Sequence, residues 1–132
     1  NKEQGREDEP DSRLSTSTRL KSLFKRPPQL KLRYRNKTHE LGEHVGPFTF
    51  GRLADCDLAV REQRVSRFHA RIELKDDQFM LTDESSNGTT VRFTDGRVER
   101  LKKTSAVLMG SGLFALGTEA VETNPHAIFF ET

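Results

Sequence analysis

Three short clusters between Gly51 and Thr89 carry the side chains best suited to holding an anion. The first is Gly51-Arg52. The second is Ser66-Arg67-Phe68-His69-Ala70, and the third is Asp83-Glu84-Ser85-Ser86-Asn87-Gly88-Thr89. A guanidinium presents planar, paired donors that fit phosphate or carboxylate, while hydroxyls and amides supply single directional bonds. That inventory suits an anion carried on a peptide. Chemistry of other kinds is poorly served. Ser66 and His69 could tempt a nucleophile-and-base reading, yet no orienting carboxylate or oxyanion hole is identifiable with them. There is no glycine loop with a lysine of the kind that cradles nucleotide phosphates. Cys56 is the single cysteine, which excludes an internal disulfide and a cysteine-based metal cage. The expectation is a binding module with no catalytic residue, no metal and no cofactor.

The elements that position these clusters read as short strands. Phe48 and Phe50 alternate into Gly51-Arg52; Ala70, Ile72 and Leu74 alternate out of the second cluster; Phe79, Leu81 and Asp83 alternate into the third. All three clusters therefore fall at strand ends or in loops, where binding chemistry concentrates. Upstream, Leu30, Leu32 and Tyr34 alternate as a first strand, and residues 40–47 read as strand end and turn. Residues 58–60 form a short buried piece. Strands follow at 90–93, 106–109, 113–116 and 127–130, with a turn at Asp95-Gly96. Many short strands with little helical periodicity indicate an all-β fold, an antiparallel two-sheet β-sandwich.

The chain divides at Pro27-Pro28, giving a basic tail over 1–28, read as flexible, and a sandwich domain over 29–132. The tail opens on a polar, aperiodic stretch with the composition of a disordered linker. Residues 12–39 contain no acid, and Leu20, Leu23 and Phe24 have helical spacing, so a solvated linker and a short amphipathic docking element are both open. The 132 residues have room for one core plus a tail, and an apolar content of 33% fits part of the length being unpacked. Because the chain opens on Asn1 rather than Met, it is read as a piece of something longer.

Charge narrows the partners. The tail holds seven Lys and Arg against five Asp and Glu, leaving fifteen of each in the domain. A near-neutral domain argues against a general nucleic-acid surface. Arg52, Arg61, Arg64, Arg67 and Arg71 nevertheless gather in or beside the clusters, so a positive local field is expected there. No apolar run approaches the length of a membrane span and no signal-peptide pattern is present. With one cysteine, this fits a cytoplasmic setting.

In this order and spacing, Gly51-Arg52, Ser66-x-x-His69 and Ser86-Asn87-Gly88-Thr89 resemble the signature of the forkhead-associated (FHA) domain. The resemblance runs from about Leu30 to Phe130, and Gly110-Ser111-Gly112 before residues 113–117 resembles the family's last hairpin. It implies an FHA/SMAD-like sandwich and a non-catalytic reader of phosphothreonine peptides. Arg52 would hold the phosphate with Ser66, and Arg67 would add a second cation. Ser86 would place a hydroxyl near the phosphoresidue, Asn87 would bond the peptide backbone, and Arg64 would favour an acidic or polar side chain downstream. Gly51, His69, Asp83, Gly88 and Thr89 would be structural. The ligand could be another protein or the chain's own tail phosphorylated at Thr16 or Thr18. The alternative is a phosphorylation-independent FHA-fold scaffold or oligomerisation module. A basic linker leading into such a domain is also similar to the C-terminal modules of bacterial adenylate and guanylate cyclases, which implies a regulatory role with catalysis upstream of Asn1.

Overall fold

The computed structural model describes residues 27–43 and 46–132. The earlier segment, with Thr16, Thr18 and the Leu20-Leu23-Phe24 stripe, lies outside the described residues. Among those described, the strands are β1 (Leu30–Tyr34), β2 (Lys37–Leu41), β3 (Phe48–Gly51), β4 (Leu58–Ala59), β5 (Ala70–Lys75), β6 (Gln78–Asp83), β7 (Thr89–Phe93), β8 (Val98–Leu101), β9 (Ser105–Leu108), β10 (Ser111–Leu116) and β11 (Ile128–Glu131). They make two sheets, β2-β1-β11-β10-β7-β8 and β4-β3-β5-β6-β9. Pairing is antiparallel except between β3 and β4, where Phe50 faces Leu58 in parallel register.

Alternation places one face of each sheet in the core. Phe48 and Phe50, Ala70 and Ile72, Phe79 and Leu81 point inward from the smaller sheet, and Leu30, Leu32, Val91, Phe114, Ile128 and Phe130 meet them from the larger one. Aromatic rings run across this core, with centroids 5.2 Å apart for Phe48 and Phe50, 5.5 Å for Phe50 and Phe114, and 5.7 Å for Phe93 and Phe130. All three meet edge to face, the arrangement that ring quadrupoles favour.

Two strands have no counterpart in the sequence reading. In β2 and β8 only Leu41 and Leu101 are buried. Each is an outer strand of the larger sheet, and its charged side chains leave no apolar alternation to read. The hairpin expected at Gly110 is also corrected. β9 pairs with β6, whereas β10 pairs with β7 and β11, so Gly110, with φ of 81°, carries the chain from one sheet to the other. The β10–β11 pair is the hairpin, closed by residues 117–127. Elsewhere the turns match their chemistry: Asp76 and Asp77 hold φ of 51° and 63° in the two-residue β5–β6 connection, the left-handed geometry such hairpins need.

At the far ends of β3 and β6 the chain enters the loops that carry the three clusters. Core packing holds that end in place. Phe114→Ala, at a position with no exposure, is expected to lower stability by about 3–5 kcal/mol, measured by urea unfolding.

Candidate functional site

The site begins with a backbone that comes too close for a side chain. A β-carbon on Gly51 would lie 2.1 Å from the carbonyl oxygen of Arg67, so only glycine lets β3 pass under the β4–β5 loop. That approach allows the main-chain N–H of Arg52 to donate to the Ser66 carbonyl at 3.0 Å, and that of His69 to Phe50 at 2.8 Å. The first and second clusters are thereby locked together.

His69 joins the second cluster to the third. Its Nδ1 accepts the Ser66 N–H at 2.9 Å, so Nε2 carries the ring proton and donates to the Gly88 carbonyl at 2.9 Å. The ring is fully buried and neutral, and burial pushes its pKa down against the opposing pull of the Gly88 bond and of Asp83 at 3.8 Å. Both ring nitrogens are committed, and the Ser66 amide, not its hydroxyl, faces Nδ1. This histidine cannot take a proton from Ser66.

Asp83 anchors the third cluster. Its Oδ1 accepts from Ser85 Oγ at 2.6 Å and Thr89 Oγ1 at 2.7 Å, and its Oδ2 from the Lys103 N–H at 2.9 Å. Ser85 Oγ in turn accepts the Gly88 N–H at 2.7 Å. Gly88 has φ of 86°, and its carbonyl also receives the Gly117 N–H at 2.9 Å. Ser85, Lys103 and Gly117 were missed from the sequence. Ser85 had a signal, because extending the inward register of Phe79, Leu81 and Asp83 by two residues makes it inward and Ser86 outward.

Hydrogen bonds join the loops that carry the anion-binding candidates. Arg52, Arg67, Ser86 and Asn87 are exposed and Ser66 is half-buried. Ser66 Oγ accepts the Ser86 N–H at 3.3 Å, which leaves its own hydroxyl proton uncommitted. Asn87 Nδ2 donates to the Arg64 carbonyl at 2.8 Å, leaving its amide oxygen and second N–H facing outward chemistry. A β-carbon on Gly117 would meet that same carbonyl at 2.5 Å, so glycine is required at this contact too.

The expected positive field is narrower than five arginines. Arg71 pairs with Glu73 at 3.0 Å and with Glu84, and Arg64 pairs with Glu62 at 2.8 Å. Arg52, Arg61 and Arg67 have no side-chain partner among the described residues. Cys56 contributes packing only: it is buried beneath Gly51, its Sγ lies 3.4 Å from the Arg67 carbonyl, and burial pushes its pKa up. Among the described residues no His, Cys, Asp or Glu cluster could hold a metal ion, and no helix is long and apolar enough to cross a membrane.

The neutral His69 makes stability depend on pH. Its folded pKa lies below the unfolded value of about 6.5, so the unfolded chain takes up the proton first. The stabilisation is present above that value and is lost as pH falls through the folded pKa. Urea midpoints are expected to drop between pH 7.5 and 5.5, and His69→Gln should lower the midpoint at pH 7.5 while flattening that slope.

Known proteins of similar build bear on this arrangement. No curated protein matches the chain in sequence. Among solved structures, Mycobacterium tuberculosis Rv1747 FHA-1 is 20% identical with a TM-score of 0.61, covering 80% of this chain and 97% of that one. The FHA domain of human APLF, solved in complex with an XRCC1 bisphospho peptide, is 20% identical with a TM-score of 0.59, covering 79% and 98%. Mycobacterium tuberculosis EmbR, solved with a low affinity phosphopeptide, is 22% identical with a TM-score of 0.57, covering 78% of this chain and 24% of that one. The family described as the FHA domain matches residues 48–110, which hold all three clusters. This match and the shared sandwich identify a forkhead-associated domain within the chain.

Proposed function

We propose that this domain recognises phosphothreonine-containing protein segments, without catalysis, through Arg52, Ser66, Arg67, Ser86 and Asn87. The observation that carries the reading is the pairing of a satisfied interior with an unsatisfied exterior. The Arg52 and Arg67 guanidinium groups have no partner among the described residues, and the hydroxyl proton of Ser66 is uncommitted. A phosphate dianion supplies the acceptors such a set lacks, through charge-assisted bonds. Asn87 adds one acceptor and one N–H, the complement of an extended peptide's main chain. Phe68, 57% exposed on the same loop, offers an aromatic face beside the anion. Solved neighbours that carry phosphopeptides support the same reading.

Magnitudes keep the affinity modest. Two or three charge-assisted bonds of about 1.5–3 kcal/mol each must offset association and ordering costs of several kcal/mol. Binding near micromolar, about −8 kcal/mol, follows. The ligand is a separate protein or the tail phosphorylated at Thr16 or Thr18. Regulation of a fused catalytic neighbour, of the cyclase kind that the sequence resembles, would act through that same contact.

Titration calorimetry with a phosphothreonine peptide pool, its phosphoserine counterpart and the unphosphorylated pool tests the reading. Micromolar binding is expected only with phosphate present. Arg52→Ala should remove detectable binding, and Ser66→Ala should weaken it about tenfold, the loss of one bond to a charged group. Equal binding of phosphorylated and unphosphorylated pools would shift the assignment to a phosphorylation-independent scaffold.

A further inference from the structure

Glu62 and Arg64 form a closed pair within the site's own rim. Arg64 Nη2 lies 2.8 Å from Glu62 Oε2, its Nε lies 3.2 Å from Oε2 and 3.4 Å from Oε1, and its main-chain N–H donates to Oε1 at 2.6 Å. The Glu62 side chain is only 16% exposed, whereas that of Arg64 is 61% exposed. The Glu62 carbonyl also accepts the Val65 N–H at 2.9 Å, so the loop holds this carboxylate in place whether or not a ligand is bound. Bonds from the Arg64 side chain and then its N–H hold the Glu62 carboxyl below the usual carboxylate range, and Glu119 adds a further negative field at Arg64. Arg64 stays at the ligand's edge through its carbonyl, which accepts from Asn87.

Resting on the phosphopeptide reading, we propose that Glu62 is a specificity-determining residue: it occupies the Arg64 guanidinium and removes selection for acidic side chains flanking the phosphoresidue. An acid on the ligand must displace a carboxylate that is already in place and carries no association cost. At so exposed a position the replacement pair gains little over the one it breaks. Phosphate faces no such competitor among the described residues, where Arg52 and Arg67 have no carboxylate to release. Selectivity is thereby concentrated on the phosphate. The acid preference that the sequence resemblance implied for Arg64 is held in reserve by a residue two positions away.

The test measures affinities of phosphothreonine peptides bearing Asp, Ala or Lys at each position after the phosphoresidue, with unphosphorylated controls, for the unaltered domain, Glu62→Gln, Arg64→Gln and the double variant. Glutamine keeps an oxygen that can accept the Arg64 N–H, so the loop retains its cap while the charge is lost. The unaltered domain should discriminate Asp from Ala by less than about twofold. Glu62→Gln should favour Asp by about three- to fivefold at one position, the worth of an exposed ion pair, and the double variant should lose that preference. Phosphate-dependent binding by Glu62→Gln shows that its site is folded. If that variant binds phosphopeptides yet remains indifferent to Asp, the inference falls. It also falls if the unaltered domain already prefers Asp and Arg64→Gln abolishes the preference. Absence of phosphate-dependent binding in every arm would instead overturn the phosphopeptide reading itself, and this inference with it.

Discussion

The buried carboxylate of Asp83 is the point on which the loops of the site depend. A charge with 1% exposure is costly to hold unless donors surround it. Here three converge on it, from Ser85 in the β6–β7 loop, Thr89 at the start of β7 and the Lys103 N–H between β8 and β9. Ser85 passes the connection to Gly88, Gly88 to His69, and His69 to the main chain of Ser66. Each member satisfies a buried polar group of the next, so removing one strands the others. The loops are therefore fixed as a set, and Ser66, Ser86 and Asn87 share that fixity through bonds that leave the Ser66 hydroxyl proton and one Asn87 amide N–H uncommitted.

Glycine makes the set compact enough to work. Gly51 and Gly117 sit where added β-carbons would strike the carbonyls of Arg67 and Arg64, respectively. These two approaches bracket the β4–β5 loop from opposite sides, one through β3 and the other through the residue following β10. The result is an inner layer where Asp83, Ser85, Thr89 and His69 are paired and an outer layer where the Arg52 and Arg67 guanidinium groups have no partner among the described residues. Arg64, Arg71, Arg92 and Arg97 pair with carboxylates, whereas Arg52 and Arg67 have none among the described residues. Local rules broken together, at one place, mark a functional surface more clearly than total charge.

Legibility from sequence followed burial. β3, β5 and β6 were readable because each buries one face, and alternation is the direct imprint of that. Edge strands β2 and β8 were not, since their charged exteriors erase the period. Gly88 holds a positive φ and His69 ties loops together, at positions that the family resemblance marked as structural. What no sequence pattern supplied was which arginine is spoken for. Glu62 pairs with Arg64 only because the loop curls to bring positions two apart face to face, and Arg71 reaches Glu84 only across the β5–β6 pair. Pairing of long side chains is decided by loop geometry, which composition does not encode.

Rigid loops also explain why so few contacts can suffice. Ordering a floppy segment costs about 1–2 kcal/mol for each residue's backbone, and a loop that had to order on binding would consume the whole gain from two charge-assisted bonds. In this domain the ordering is completed by folding, through Asp83, His69 and the two glycine contacts, before any ligand arrives. On the proposed reading, an incoming anion would meet donors that have no partner among the described residues, held at set positions. Residues 29–132 balance fifteen bases with fifteen acids, which leaves the sandwich no broad attraction for polyanions.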